Sequence, residues 1–175
     1  GGHYAKLSPG EPTGFNPLQL PDNAVNRAFL VDWLNALLAP KDSEEERLIT
    51  TAVDVAYEND PKFRRLRFFR ELLAGNRRPE EGDLAARLGP WIHDGPNAWL
   101  FDNENDALDL SQQVAGFDMT ELLDSPALRT PAMMYLFHRV DERLDGTPAM
   151  IVIDEGWKAL DDAVFAARIR DWLKT

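Results

Sequence analysis

The chain has 175 residues, with 30 acidic side chains against 19 basic ones and a net charge of −11. That balance argues against a surface built for phosphate backbones or anionic lipid. The absence of cysteine excludes disulfide frameworks, thiolate metal sites and cysteine nucleophiles. No run of about 18 apolar residues could cross a bilayer, and the start shows no signal-peptide pattern. The first methionine is Met119, so the chain reads as a piece of something larger.

Residues 1–21 are rich in Gly and Pro. Short apolar alternations at Tyr4-Ala5-Lys6-Leu7 and Phe15 to Leu20 predict one or two short strands joined by turns. From 22 to 92 the texture is helical. A first helix starts near Asp22 or Asn23, carries a Val25, Phe29 and Trp33 stripe beside Leu30, Leu34 and Leu37, and stops at Pro40. A second opens on a capping box, Ser43 with Glu46, and buries Leu48, Ile49, Ala52, Val53 and Ala56. A third has Asp60 as cap, Pro61 at its first position and Gly75 past its end, with Phe63, Leu66, Phe69, Leu72 and Leu73 inward. A fourth, from Glu80 to Ile92, lines up Leu84, Leu88 and Ile92 and breaks at Gly89-Pro90. Four amphipathic helices with short links predict a small bundle.

Beyond Gly95 the pattern alternates. Ala98 to Phe101 and Val114 to Met119 are strand candidates, and a helix follows from Pro131 to Leu144. The run Ala149 to Ile153 is wholly apolar, as a central parallel strand covered on both faces would be. A last helix starts near Asp162 and carries Phe165, Ile169 and Trp172. Strand, helix, strand, helix is the order of an α/β layer.

The chemistry concentrates at Met150-Ile151-Val152-Ile153-Asp154-Glu155. A buried strand ending in two adjacent carboxylates is the Walker B pattern. Its carboxyl end opens into a ligand crevice, the first acid holds Mg²⁺ through water, and the second polarises the water attacking a γ-phosphate. A structural strand running into a polar turn is the competing reading of the same six residues. Asp102 is a second acid after an apolar run, although Asp102-Asn103 also reads as a turn. Glu104, Asp106 and Asp109 lack the spacing of a calcium loop. Arg64, Arg65, Arg67 and Arg70 read as a solvated face of the third helix rather than a phosphate contact. His3, His93 and His138 show no ligand spacing. No G-x-x-x-x-G-K-[ST] occurs in the chain, so it contains no phosphate-cradling loop.

Three stretches carry a resemblance: Gly14-Phe15-Asn16-Pro17-Leu18-Gln19-Leu20, Gly116-Phe117-Asp118-Met119-Thr120-Glu121-Leu122-Leu123, and Ile153-Asp154-Glu155-Gly156-Trp157-Lys158-Ala159-Leu160. Together they resemble the type IV secretion ATPases of the VirB/TrbE/CagE class, over nearly the whole chain. The resemblance implies an α/β fold: part of a RecA-like P-loop NTPase domain, a parallel sheet with flanking helices, carrying an inserted all-α lobe. Residues 1–21 would begin the RecA-like part, 22–95 would be the insertion, and 96–175 would hold the Walker B strand. It implies Glu155 as the catalytic residue, Asp154 as the nucleotide-side ligand of Mg²⁺ through water, and ATP with Mg²⁺ as cofactors of the full-length parent. It further implies a cytoplasmic protein, peripheral at the bacterial inner membrane, that energises pilus assembly and DNA or effector transfer. Other secretion components and a homo-hexamer are its expected partners. Direct nucleic-acid binding by this piece is not expected, and without a P-loop the piece alone is expected to be inactive. The alternative is a non-catalytic interaction module whose helical lobe docks secretion partners.

Overall fold

Asn23 starts the first helix: its side chain accepts a hydrogen bond from Asn26 N at 2.8 Å, satisfying one of the orphan donors of a helix start. The structure, a computed structural model, describes residues 2–75, 80, 82–144, 146, 148–154 and 161–174. It divides into two compact units, residues 9–108 and residues 1–8 with 109–175.

The unit 9–108 is helical. Helix α1 spans Ala24–Leu38, α2 Ser43–Glu58 and α3 Leu66–Ala74, and one turn of helix, α4, covers Ala98–Phe101. No strand occurs among its described residues. The core is built on Trp33, fully buried and packed edge-on to Phe101 at 4.9 Å. Leu34, Ile49, Val53, Leu66, Phe69, Leu88 and Leu100 of the same unit are also buried, each with at most 1% of its surface exposed.

Several expected details are corrected. The buried stripe of α1 is Asn26, Leu30, Trp33, Leu34 and Leu38, while Val25 is 70% exposed. The cap of α2 is Asp42 rather than Ser43: its carboxylate accepts from Glu45 N, and Glu45 accepts in turn from Lys41 N. Asp60 and Pro61 start only a short 3-10 turn, Pro61–Phe63, which leaves Phe63 exposed; α3 begins five residues later than expected. The fourth expected helix is a 3-10 stretch, Ala86–Trp91, because Pro90 cannot donate to an α-helical ladder. Leu84, Leu88 and Ile92 are nevertheless all buried there. The strand expected within Phe15 to Leu20 is a 3-10 turn, Pro17–Gln19, opened by Pro17 and capped by Asn16.

The borders between units fall after residues 8 and 108, not at 21/22 and 95/96. Hydrogen bonds explain the shift. Thr13 N donates to Trp99 O, Ala107 N donates to Gly14 O, and the buried Asn16 side chain donates to Arg64 O and Asn103 O. Gly95 packs on the Gly89-Pro90 backbone, so a Cβ on it would sit 2.5 Å from the carbonyl oxygens of Gly89 and Pro90. Only glycine fits there.

In the other unit, β1 (Gly2–Lys6) pairs in parallel with β2 (Val114–Asp118), in a register running from Gly2 opposite Val114 to Lys6 opposite Asp118. Helices α5 (Thr120–Leu123), α6 (Pro126–Asp141) and α7 (Ala163–Trp172) follow. Helix α6 starts five residues before the expected Pro131 because Pro126 takes its first position; Pro131 forfeits one hydrogen bond inside it. Met133 and Phe165 form the centre of an α6–α7 cluster with Met119, Leu123, Phe137 and Ile169. Asp141 ties the two helices together, accepting from Trp172 Nε1 at 2.8 Å and pairing with Arg168.

Candidate functional site

The expected Walker B strand is not a strand here. Residues 150–153 lie outside the sheet, and Met150, Ile151, Val152 and Ile153 are 89%, 42%, 80% and 40% exposed. An apolar run becomes a central strand only where neighbouring strands take its backbone groups, and among the described residues the sheet has two strands only. The exposures still alternate with a period of two, the periodicity of a strand. Asp154 follows in an exposed turn. Glu155, expected to be catalytic, lies outside the described residues, as do 156–160 of the same string.

The carboxyl ends of β1 and β2 lie at one edge because the strands run in parallel. This is the edge where open α/β sheets bind ligands. It carries Lys6, whose ammonium is 3.5 Å from Glu121, and Asp118. Asp118 accepts from Thr120 Oγ1 at 2.7 Å and from Thr120 N at 3.1 Å. These bonds, the hydroxyl's first, favour the charged form and hold the Asp118 carboxyl below its usual range.

Asp102, the other strand-end candidate, has a structural role. It closes one turn of helix, and its side chain is wholly buried. Its Oδ1 accepts from Arg65 Nε, while Oδ2 accepts from Arg67 Nε and Nη2 at 3.1 and 2.9 Å. The N–H of His93, a residue held at φ 52°, completes the set at 2.9 Å. Arg65 and Arg67 are therefore not a solvated face; they neutralise a buried carboxylate. The mixed arginines and apolar residues of 64–70 give no sign of this, since the partner lies 37 residues from Arg65 and 35 from Arg67.

Asp162 is similarly committed. It caps α7 through Val164 N and Phe165 N, and Thr130 Oγ1 and Arg129 also approach it. His138 on α6 is buried, which pushes its pKa below the usual imidazole value. Among the described residues no three His, Asp or Glu side chains gather as a metal site, and no helix is long and apolar enough to cross a membrane.

This combination, a parallel strand pair with flanking helices and an acidic string after an apolar run, is a mixed α/β protein, and comparison places it in a functional setting. The chain is 41% identical, over its full length, to the type IV secretion system protein virB4 of Bartonella henselae. It is 40% identical over 94% of its length to the type IV secretion system protein PtlC of Bordetella pertussis, and 34% identical over 95% to virB4 of Brucella abortus. Along nearly its whole length the chain is homologous to a segment of the VirB4 and PtlC type IV secretion proteins. It spans 23%, 21% and 22% of the lengths of these three relatives. No family model matches it.

Proposed function

We propose that this chain is part of a type IV secretion ATPase, with residues 1–8 and 109–175 contributing to a RecA-like nucleotide-binding domain and residues 9–108 forming an inserted helical lobe. Its cellular setting would be the cytoplasmic face of the bacterial inner membrane, in a homo-hexamer working with other secretion components on pilus growth and DNA or effector transfer. The observation that carries this reading is the Ile153-Asp154-Glu155 string in a chain matched along its length by VirB4 and PtlC proteins. The parallel β1–β2 pair, rare outside layered α/β proteins, supports it.

The donor set fits Mg²⁺. A single accessible carboxylate, Asp154, suits an ion that keeps most of its waters and takes further oxygens from substrate phosphates. When bound, Mg²⁺ would neutralise charge on the β- and γ-phosphates. Glu155 would orient the attacking water and take up its proton. Asp154→Asn in a full-length protein carrying this segment tests the ion's place. Mg²⁺-dependent nucleotide binding should weaken about ten-fold or more, while binding without Mg²⁺ stays unchanged. Equal binding under both conditions would remove Asp154 from the site.

The second reading, a docking module for secretion partners, is favoured by one feature of the helical unit. Phe63 and Phe68 lie side by side on its surface, 52% and 43% exposed.

A further inference from the structure

The α2–α3 side of the helical unit carries a groove of about 200 Å³, whose walls include Ala56, Phe63, Arg64, Phe68, Glu71 and Leu72. Scattered exposed apolar residues are normal, but here two phenylalanines meet edge-to-face, 6.0 Å between centroids, over a concave surface. The charges around them are unlike those of the rest of the chain. Residues 61–70 hold five cations, Lys62, Arg64, Arg65, Arg67 and Arg70, and no acid, in a chain of net charge −11.

Two of the five, Arg65 and Arg67, are committed to Asp102. Of those beside the groove, Arg64 donates from Nη1 to Leu20 O at 3.4 Å, and Lys62 is the more open. The Lys62 ammonium lies 5.0 Å over the Phe63 ring, its side chain 67% exposed, with Asp60 as a loose partner at 3.7 Å. The Arg64 guanidinium lines the groove and stacks 5.0 Å from the Tyr57 ring centroid. Its Nε is buried with no hydrogen-bond partner among the described residues. Glu71 stands among the lining residues as their one acid.

We propose that this groove docks an acidic protein segment that presents an apolar or aromatic anchor. The anchor seats against Phe63, Phe68 and Leu72, and carboxylates beside it meet Lys62 and Arg64. Glu71 repels acid from its own surroundings and so fixes which way the segment lies. Buried aromatic and arginine anchors seated in well-packed pockets carry most of the energy of protein interfaces. A nucleic acid fits less well: among the described residues two cations, Lys62 and Arg64, flank the groove, and a phosphate chain needs a longer basic track. The proposal does not depend on the nucleotide chemistry proposed above.

The test is selection of a random-peptide display library on the 175-residue chain, with counter-selection on the Phe63→Ser/Phe68→Ser double variant. Both rings are substantially exposed, so the variant should keep its circular dichroism. If it does not, Lys62→Glu alone serves as the counter-selector. Enriched peptides should combine an aromatic or branched apolar residue with flanking Asp or Glu. By fluorescence polarisation, Phe68→Ser and Lys62→Glu should each weaken them about ten-fold or more. No enrichment, or enriched peptides without acids, overturns the proposal. Binding of a labelled oligo-dT that depends on Phe63 and Phe68 overturns it in favour of nucleic acid. Self-association of the chain that the same substitutions abolish overturns it in favour of a second copy.

Discussion

Asp102 shows how much one buried carboxylate can organise. It joins α3, through Arg65 and Arg67, to the His93 turn and the end of α4. Removing it strands two guanidinium groups that are only 21% and 28% exposed. Asp102→Ala should therefore destabilise the helical unit by about 3 kcal/mol in urea unfolding, whereas a solvated arginine face would change by less than about 0.5 kcal/mol. His138 makes a second prediction. Burial lowers its folded pKa below 6.5, so below that pH the unfolded chain takes up a proton that the folded chain refuses. Stability contributed this way is complete above pH 6.5 and is lost as pH falls from there towards the lowered folded value. Glu142 and Asp141, which favour the charged form, oppose the shift, and Arg168 and Arg139 reinforce it. The carboxylates with lowered pKa values, Asp118 and Glu45 among them, act in a separate window, below about pH 4.5. His138→Gln should flatten the stability profile between pH 7 and pH 5 in thermal melts. An unchanged slope would assign the loss to other groups.

Among the elements, the caps were only partly legible. Sequence placed α2 correctly but put its cap at Ser43, because Ser43 with Glu46 satisfies the capping-box spacing as well as Asp42 with Glu45 does. Two overlapping boxes cannot be separated without coordinates. They can be separated in solution: Asp42→Ala should cost about 1 kcal/mol and Ser43→Ala close to nothing, measured by thermal unfolding. The helices α1 and α7 are legible because periodicity and cap residues agree there, and α2 because its periodicity is clear. The 86–91 stretch is not, because the four-residue spacing of Leu84, Leu88 and Ile92 is that of an α-helix while Pro90 inside the stretch prevents one. Ala98–Phe101 reads as a strand but is one turn of helix, since four apolar residues are too few to carry any period. The acidic string was legible by resemblance, but its strand depends on neighbours that the sheet described here does not supply.

For the whole molecule, the borders of the two compact units, after residues 8 and 108, depend on long-range hydrogen bonds such as Ala107 N to Gly14 O that no local pattern announces. The chain contains no P-loop sequence, and the backbone N–H groups and lysine of that loop supply most contacts to the phosphates. Calorimetric titration of the 175-residue chain with Mg-ATP should accordingly show no micromolar binding; a saturable micromolar isotherm would contradict that. The central claim, that Asp154-Glu155 is the hydrolytic pair of a secretion ATPase, is tested most directly by single-turnover hydrolysis with Glu155→Gln in a full-length protein carrying this segment, with nucleotide binding measured alongside. The amide keeps the shape of the side chain but cannot take the proton of the attacking water. Nucleotide affinity should stay within a few-fold of wild type while the hydrolytic rate falls by about a hundred-fold or more. Hydrolysis within a few-fold of wild type would contradict the account.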